Sequence, residues 1–83
     1  MVGGSRTDEI VMGGFRGKSK AGALIICNRI IGGAVGSPTV LEDRMGNAPD
    51  VVPIKFDSVE AARQFVENNK GVKHFGRFWC NMS

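Results

Sequence analysis

The chain contains 83 residues, of which 42% are hydrophobic and 23% are charged, and it carries a formal net charge of +3. A chain of this length forms one small core and has little room for a deep catalytic cleft, which argues against an enzyme. The composition excludes a wholly disordered chain, and the longest apolar run, residues 21–36, is interrupted by Asn28 and Arg29 and is too short to span a bilayer.

Residues 1–8 are predicted to be a flexible N-terminal lead-in, because Gly3, Gly4 and Ser5 favour no regular structure. Residues 9–83 are predicted to form a single domain, since no low-complexity linker divides them.

The first part of this domain reads as a β-hairpin. Residues 9–15 begin with an apolar strand pattern, the glycine-rich and basic residues 17–22 suggest a turn, and residues 23–31 are the most apolar segment of the chain. As a strand, this segment is apolar on both faces and needs cover on both faces. Either the sheet curls over its second face, or another molecule covers that face, which favours a protein partner or a homodimer.

Two further strands and one helix are predicted downstream. Residues 39–42 can form a short strand, and residues 51–56 form a strand that Pro53 assigns to a sheet edge. Residues 57–70 form an amphipathic helix, in which Asp57 and Glu60 can make a capping box. Gly71 ends this helix, and residues 72–80 form the closing strand.

The predicted fold class is therefore α+β, with an antiparallel twisted sheet of four to five strands and one amphipathic helix packed on one face. The predicted core residues are Ile10, Met12, Leu24, Ile26, Ile30, Leu41, Val52, Ile54, Phe56, Val59, Ala62, Phe65, Val66 and Phe78.

Charge is unevenly distributed along the sequence. Residues 10–41 and 68–83 contain cations and no acid, whereas residues 42–67 are acidic on balance. These two basic segments form one positive face if the first hairpin lies beside the closing strand. Regular alternation in that strand would interleave cations with aromatic rings, as single-stranded nucleic-acid binding proteins do. The predicted partner- or nucleic-acid-binding residues are Arg16, Lys18, Lys20, Lys73, Phe75, Arg77 and Trp79.

The alternative for Phe75 and Trp79 is burial in the core, since a small domain has few large rings. Cys27 and Cys80 are expected to be free thiols. With His74 they show no zinc-finger spacing, so no metal site is predicted. His74 and Cys80 would lie roughly 20 Å apart along one strand, too far for a catalytic pair, so no catalytic residue is predicted, and no cofactor is predicted either.

In size and layout, a strand leading directly into a capped helix within one small domain, the chain resembles small phage-encoded inhibitors of host machinery, including anti-CRISPR proteins. This resemblance implies a protein that inhibits a partner macromolecule by occupying it. The expected function is a non-enzymatic binding module, and the expected location is the cytoplasm or, for a phage protein, the host cytoplasm. The alternative is a single-stranded nucleic-acid-binding protein that uses the basic and aromatic strand face.

Overall fold

The computed structural model describes residues 8–83, which form a four-stranded antiparallel sheet and two helices. The strands are β1 (Glu9–Gly13), β2 (Thr39–Val40), β3 (Val51–Lys55) and β4 (Trp79–Met82), and the helices are α1 (Lys20–Ile31) and α2 (Val59–Asn68). A 3₁₀ turn, Glu42–Arg44, follows β2. The predicted α+β class with an antiparallel sheet is confirmed. Of the predicted lead-in, residues 1–7 lie outside the described residues.

The strand order β2-β3-β1-β4 places β1 in the interior of the sheet and β4 at one edge. In this register Ile10 lies opposite Ile54 and Met82, while Met12 lies opposite Val52 and Cys80. Because side chains alternate along a strand, these six share one face. Residues of both helices pack into the same core as Ile10 and Met12. The sheet is therefore covered on one face by α1 and α2, and neither of these two helices of residues 8–83 lies on its other face.

The prediction of a strand over residues 23–31 is wrong, because these residues belong to α1. The Ser19 hydroxyl caps the helix by accepting a hydrogen bond from the Gly22 N–H at 3.1 Å. Ala23, Cys27 and Ile31, four residues apart, are buried on one stripe against the sheet. In a helix, the apolar residues beside this stripe do not create a second sheet face that must be covered. The apolar pattern therefore no longer requires a partner or a homodimer.

Pro53 was predicted to mark an edge strand, and this prediction is also wrong, because β3 lies between β2 and β1. The missing N–H of Pro53 faces the β2 side at the point where β2 has ended. There the Pro53 carbonyl accepts from the Leu41 N–H at 2.9 Å, and the Leu41 carbonyl accepts from the Arg44 N–H at 3.1 Å. Proline therefore leaves no ladder bond unmade in the interior of the sheet.

The helix predicted at residues 57–70 is confirmed as α2, with Ser58 rather than Asp57 at the N-cap. The Ser58 hydroxyl accepts from the Ala61 N–H at 3.1 Å. Asp57 lies one residue before the cap and donates its backbone N–H to the Gly36 carbonyl at 2.9 Å.

The closing strand is shorter than predicted, because residues 74–77 form a tight turn before β4 begins. Phe75 and Gly76 both have positive φ, at 55° and 76°, and the Arg77 N–H donates to the His74 carbonyl at 3.1 Å. Two positive φ angles and this bond are the features of a type I′ turn. The regular alternation expected for residues 72–80 therefore does not exist.

Half of the predicted core is fully buried, and most of the rest packs against it. The buried members are Ile10, Met12, Val52, Ile54, Phe56, Ala62 and Phe78. The half-buried ones that pack on this core are Leu24, Ile26, Ile30, Phe65 and Val66. The residues that the sequence analysis missed are Phe15, Ala23, Cys27, Ile31, Val40 and Met45.

Candidate functional site

A groove between α1 and the 74–77 turn contains three of the predicted site residues, Lys18, Phe75 and Arg77. Its volume is about 360 Å³, which lies within the usual range of ligand-binding clefts, ~300–1,000 Å³. We call it the basic groove. The other four predicted residues, Arg16, Lys20, Lys73 and Trp79, do not line it.

Two more side chains of the basic groove, Ile25 and Arg29, come from one exposed side of α1. They were missed because residues 23–31 were interpreted as a strand. In a strand, nothing placed Ile25 and Arg29 near residues 74–77. In a helix they are four residues apart and therefore adjacent. The four-residue spacing of Ala23, Cys27 and Ile31 was the signal that could have revealed both.

The apolar part of the groove is unusually open to solvent. Ile25 and Phe75 are each 65% exposed, whereas Phe78, the other ring lining the groove, is 4% exposed. Phe78 stacks on Phe15, with ring centroids 4.7 Å apart, and so belongs to the core. Ile25 and Phe75 are therefore two large apolar side chains available to a binding partner.

Within residues 8–83, the cations of the groove have no acidic partner. None of its lining residues is acidic, and the ion pairs of the described chain join Arg44 to Glu9 and Lys55 to Asp8. Lys18, Arg29 and Arg77 therefore present uncompensated positive charge next to Ile25 and Phe75. As expected from the charge distribution, the two acid-free segments meet here, although the first contributes a helix and not a hairpin.

Phe75 has a backbone conformation with positive φ, which a phenylalanine does not favour. The first central position of a type I′ turn has positive φ and favours asparagine or glycine. A φ of 55° at a phenylalanine costs roughly 1–2 kcal/mol. Strain of this kind is concentrated at functional positions, which favours a role for the exposed ring.

Arg77 holds the turn against the loop that precedes α1. Its Nε–H donates to the Gly14 carbonyl at 2.6 Å, and its Nη2 donates to the Arg16 carbonyl. Its guanidinium also lies 5.6 Å from the centroid of the Phe78 ring. Both bonds end on neutral carbonyls, so Arg77 fixes the two walls of the groove relative to each other and retains its charge.

Trp79 does not line the groove and lies on the sheet face opposite to the one that α1 and α2 cover. It pairs with Gly13, and a Cβ built on Gly13 would lie 2.1 Å from Cζ2 of the indole, so the ring covers that glycine. Trp79 is 37% exposed. Because Trp79 does not line the groove that contains Phe75 and Arg77, the predicted continuous face of cations and rings is not formed.

The charges on this open sheet face are paired. The Arg44 guanidinium donates to both carboxylate oxygens of Glu9, at 2.7 and 3.4 Å, and Glu9 is 1% exposed. Lys55 Nζ lies 2.6 Å from the Asp8 carboxylate. Arg44 is therefore paired with a buried carboxylate and Lys55 with a partly exposed one, so neither cation is uncompensated.

The described residues contain no group of three or more histidine, cysteine or acidic side chains arranged to hold a metal ion. Burial raises the pKa of the Cys27 thiol to about 12 and also raises the pKa of Cys80. Both thiols are free. Neither α1 nor α2, the helices of residues 8–83, has the length and apolar character needed to cross a membrane.

Comparison of the chain with models of protein families, with curated proteins and with solved structures finds no match. Its function is therefore inferred from its own residues.

Proposed function

We propose that the protein is a small non-enzymatic binding module that acts by occupying a protein partner, and that the basic groove is its contact surface. The observation that carries this proposal is that two exposed apolar side chains, Ile25 and Phe75, lie among cations that no acid of the described residues neutralises. Apolar anchors surrounded by arginine are typical of the energetic centre of protein–protein interfaces.

We propose inhibition by occupation as the mode of action, because the size of the chain and its strand leading into a capped helix resemble small phage-encoded inhibitors. A rigid groove fixed by Arg77 and by the 74–77 turn can bind with little loss of conformational entropy. No catalytic group is needed for such an activity.

Binding of single-stranded nucleic acid is the second candidate, because Lys18, Phe75 and Arg77 belong to the basic and aromatic set that suggested it. It is disfavoured by the position of Trp79 on the other face. A single exposed ring in the groove offers a stacking platform for one base only.

The proposal is tested by placing the photo-crosslinking residue p-benzoylphenylalanine at Ile25 in one variant and at Val51 in another. Both side chains are apolar and exposed, but Val51 lies on the open sheet face. In cells of the source organism, we expect protein adducts from position 25 and none from position 51. In addition, Phe75→Asn in the Ile25 variant should abolish the adducts.

Adducts with nucleic acid from position 25 would support the second candidate. Adducts from position 51 alone, or from neither position, would contradict the proposal. Phe75→Asn is a suitable probe because asparagine followed by glycine is the preferred pair for a type I′ turn. The substitution removes the ring while the turn keeps its shape.

A further inference from the structure

We infer that the segment of the partner that enters the basic groove is acidic and carries a large apolar side chain between its carboxylates. This inference rests on the proposed function and specifies the chemistry of the partner.

Charge complementarity is the first step. Lys18 and Arg77 come from the loop before α1 and from the turn before β4, and Arg29 comes from α1, so positive charge enters the groove from three directions. Each of the two segments that build these walls, residues 10–41 and 68–83, lacks acids. A basic segment would be repelled by these cations, and a neutral segment would leave them unpaired. Carboxylates would pair with them.

The second step is the apolar anchor. Ile25 and Phe75 are exposed to the same extent, and both line one groove whose deeper wall includes Ile26 and Phe78. A phenylalanine or leucine side chain inserted there would be covered on several sides, as interface anchors are. Carboxylates on either side of this residue in the partner would then reach the surrounding cations.

The arrangement of cations favours a peptide over a nucleic acid. A strand of nucleic acid needs successive stacking platforms along a basic track. Here the second ring, Phe78, is stacked on Phe15 in the core, and Ile25 provides no stacking surface. An aliphatic or aromatic side chain uses both Ile25 and Phe75, whereas a base uses Phe75 alone.

The test is a titration of the ¹⁵N-labelled protein, followed by amide chemical shifts, with a short peptide in which one phenylalanine is flanked on both sides by glutamates. Controls are the peptide with lysines in place of the glutamates, the peptide with serine in place of phenylalanine, and an oligothymidylate. We expect the acidic peptide to shift the amides of Ile25, Arg29, Phe75 and Arg77. Its affinity should exceed that of the lysine peptide and of the serine peptide by about tenfold each.

Protein variants locate the interaction. Arg29→Gln should weaken the acidic peptide by about two- to fivefold, which is the effect of one exposed charge pair. Arg63→Gln removes a cation from the exposed surface of α2, outside the groove, and should have no effect. Phe75→Asn should weaken binding by about tenfold or more.

Equal affinity of the acidic and lysine peptides, tighter binding of the oligothymidylate, or unchanged affinity in Phe75→Asn would each overturn the inference. If crosslinking at position 25 nevertheless yields a protein, and Phe75→Asn abolishes this adduct, the proposed function stands and only the chemistry inferred for the partner segment is wrong. If crosslinking yields no protein, the proposed function itself fails.

Discussion

The two faces of this molecule use similar residues for different purposes. On the open sheet face, Arg44 and Lys55 are paired with Glu9 and Asp8, and the Trp79 indole covers Gly13. In the basic groove, Lys18, Arg29 and Arg77 have no carboxylate partner in the part of the chain that the structure describes, and the Phe75 ring is 65% exposed. Cations and aromatic rings in a sequence therefore do not identify a binding surface. A cation or ring that already has a partner within the fold is structural, whereas one without such a partner is available to a ligand.

The sharpest test of this difference replaces one arginine on each face by methionine. Arg44→Met leaves the buried Glu9 carboxylate without this cation, and breaking a buried pair costs roughly 3–5 kcal/mol. The Arg44 side chain is 48% exposed, so screening by solvent lowers the expected loss to about 1–3 kcal/mol of unfolding free energy. Urea denaturation measures it. A loss below about 0.5 kcal/mol, the usual size for a surface site, would show that the pair is not structural.

A second prediction concerns the inner side of α1, whose outer side forms the groove. Burial raises the pKa of the Cys27 thiol from 9.0 to about 12, so the folded state retains its proton where the unfolded state has lost it. Stability is therefore full below pH 9 and falls as the pH rises from 9 to 12. Between pH 8 and pH 10 the loss should be about 1 kcal/mol.

The control for this loss is Cys27→Ala, which should remove it. The protein that retains Cys27 and the Cys27→Ala variant both carry Cys80→Ala as well, because burial also raises the pKa of the Cys80 thiol. Equal pH dependence with and without Cys27 would show that α1 does not bury this side chain against the sheet.

Gly13→Ala tests the cover that Trp79 provides on the open sheet face. The added Cβ would meet the end of the indole at 2.1 Å, so the ring must swing away. We expect about 0.5–1 kcal/mol of destabilisation from the lost burial and a red shift of tryptophan fluorescence, which reports Trp79 alone because the chain has one tryptophan. Gly46→Ala is the control, since its Cβ would meet no atom within 4 Å. An unchanged emission spectrum in Gly13→Ala would contradict this placement of the indole.

The smallest effect is expected for Arg29→Met in the groove, which is the counterpart of Arg44→Met. Arg29 has no carboxylate partner among the described residues, so the unfolding free energy should change by less than about 0.5 kcal/mol. A loss as large as that of Arg44→Met would mean that Arg29 is a structural cation, and the contrast between the faces would disappear.

The sequence alone predicts those parts of the fold that local signals determine. The α2 helix was recognisable from its apolar stripe, although its N-cap is Ser58 and not the predicted Asp57, and β1 and β3 were recognisable from the apolar residues around Met12 and Ile54. The position of α1 was not recognised, because Ile25, Ile26, Ile30 and Ile31 are β-branched and favour strands. The Ser19 cap and the burial of small residues at four-residue spacing outweigh that preference.

The candidate site was only partly predictable for a related reason. The acid-free composition of residues 10–41 and 68–83 predicted that cations could meet, and Lys18, Phe75 and Arg77 do meet. Trp79 was grouped with them on the assumption of a regular strand. The positive φ of Phe75 breaks this regularity, and the sequence gives no direct sign of it, because a type I′ turn normally uses asparagine where this chain has phenylalanine.

The most direct test of the central claim compares the two exposed aromatic residues on opposite faces. The affinity of the glutamate-flanked peptide is measured for Phe75→Asn and for Trp79→Thr, after circular dichroism has shown that both variants are folded. If the basic groove is the binding surface, Phe75→Asn weakens the complex by about tenfold or more and Trp79→Thr leaves it unchanged. Loss of binding in Trp79→Thr with full binding in Phe75→Asn would place the contact on the open sheet face and contradict the account.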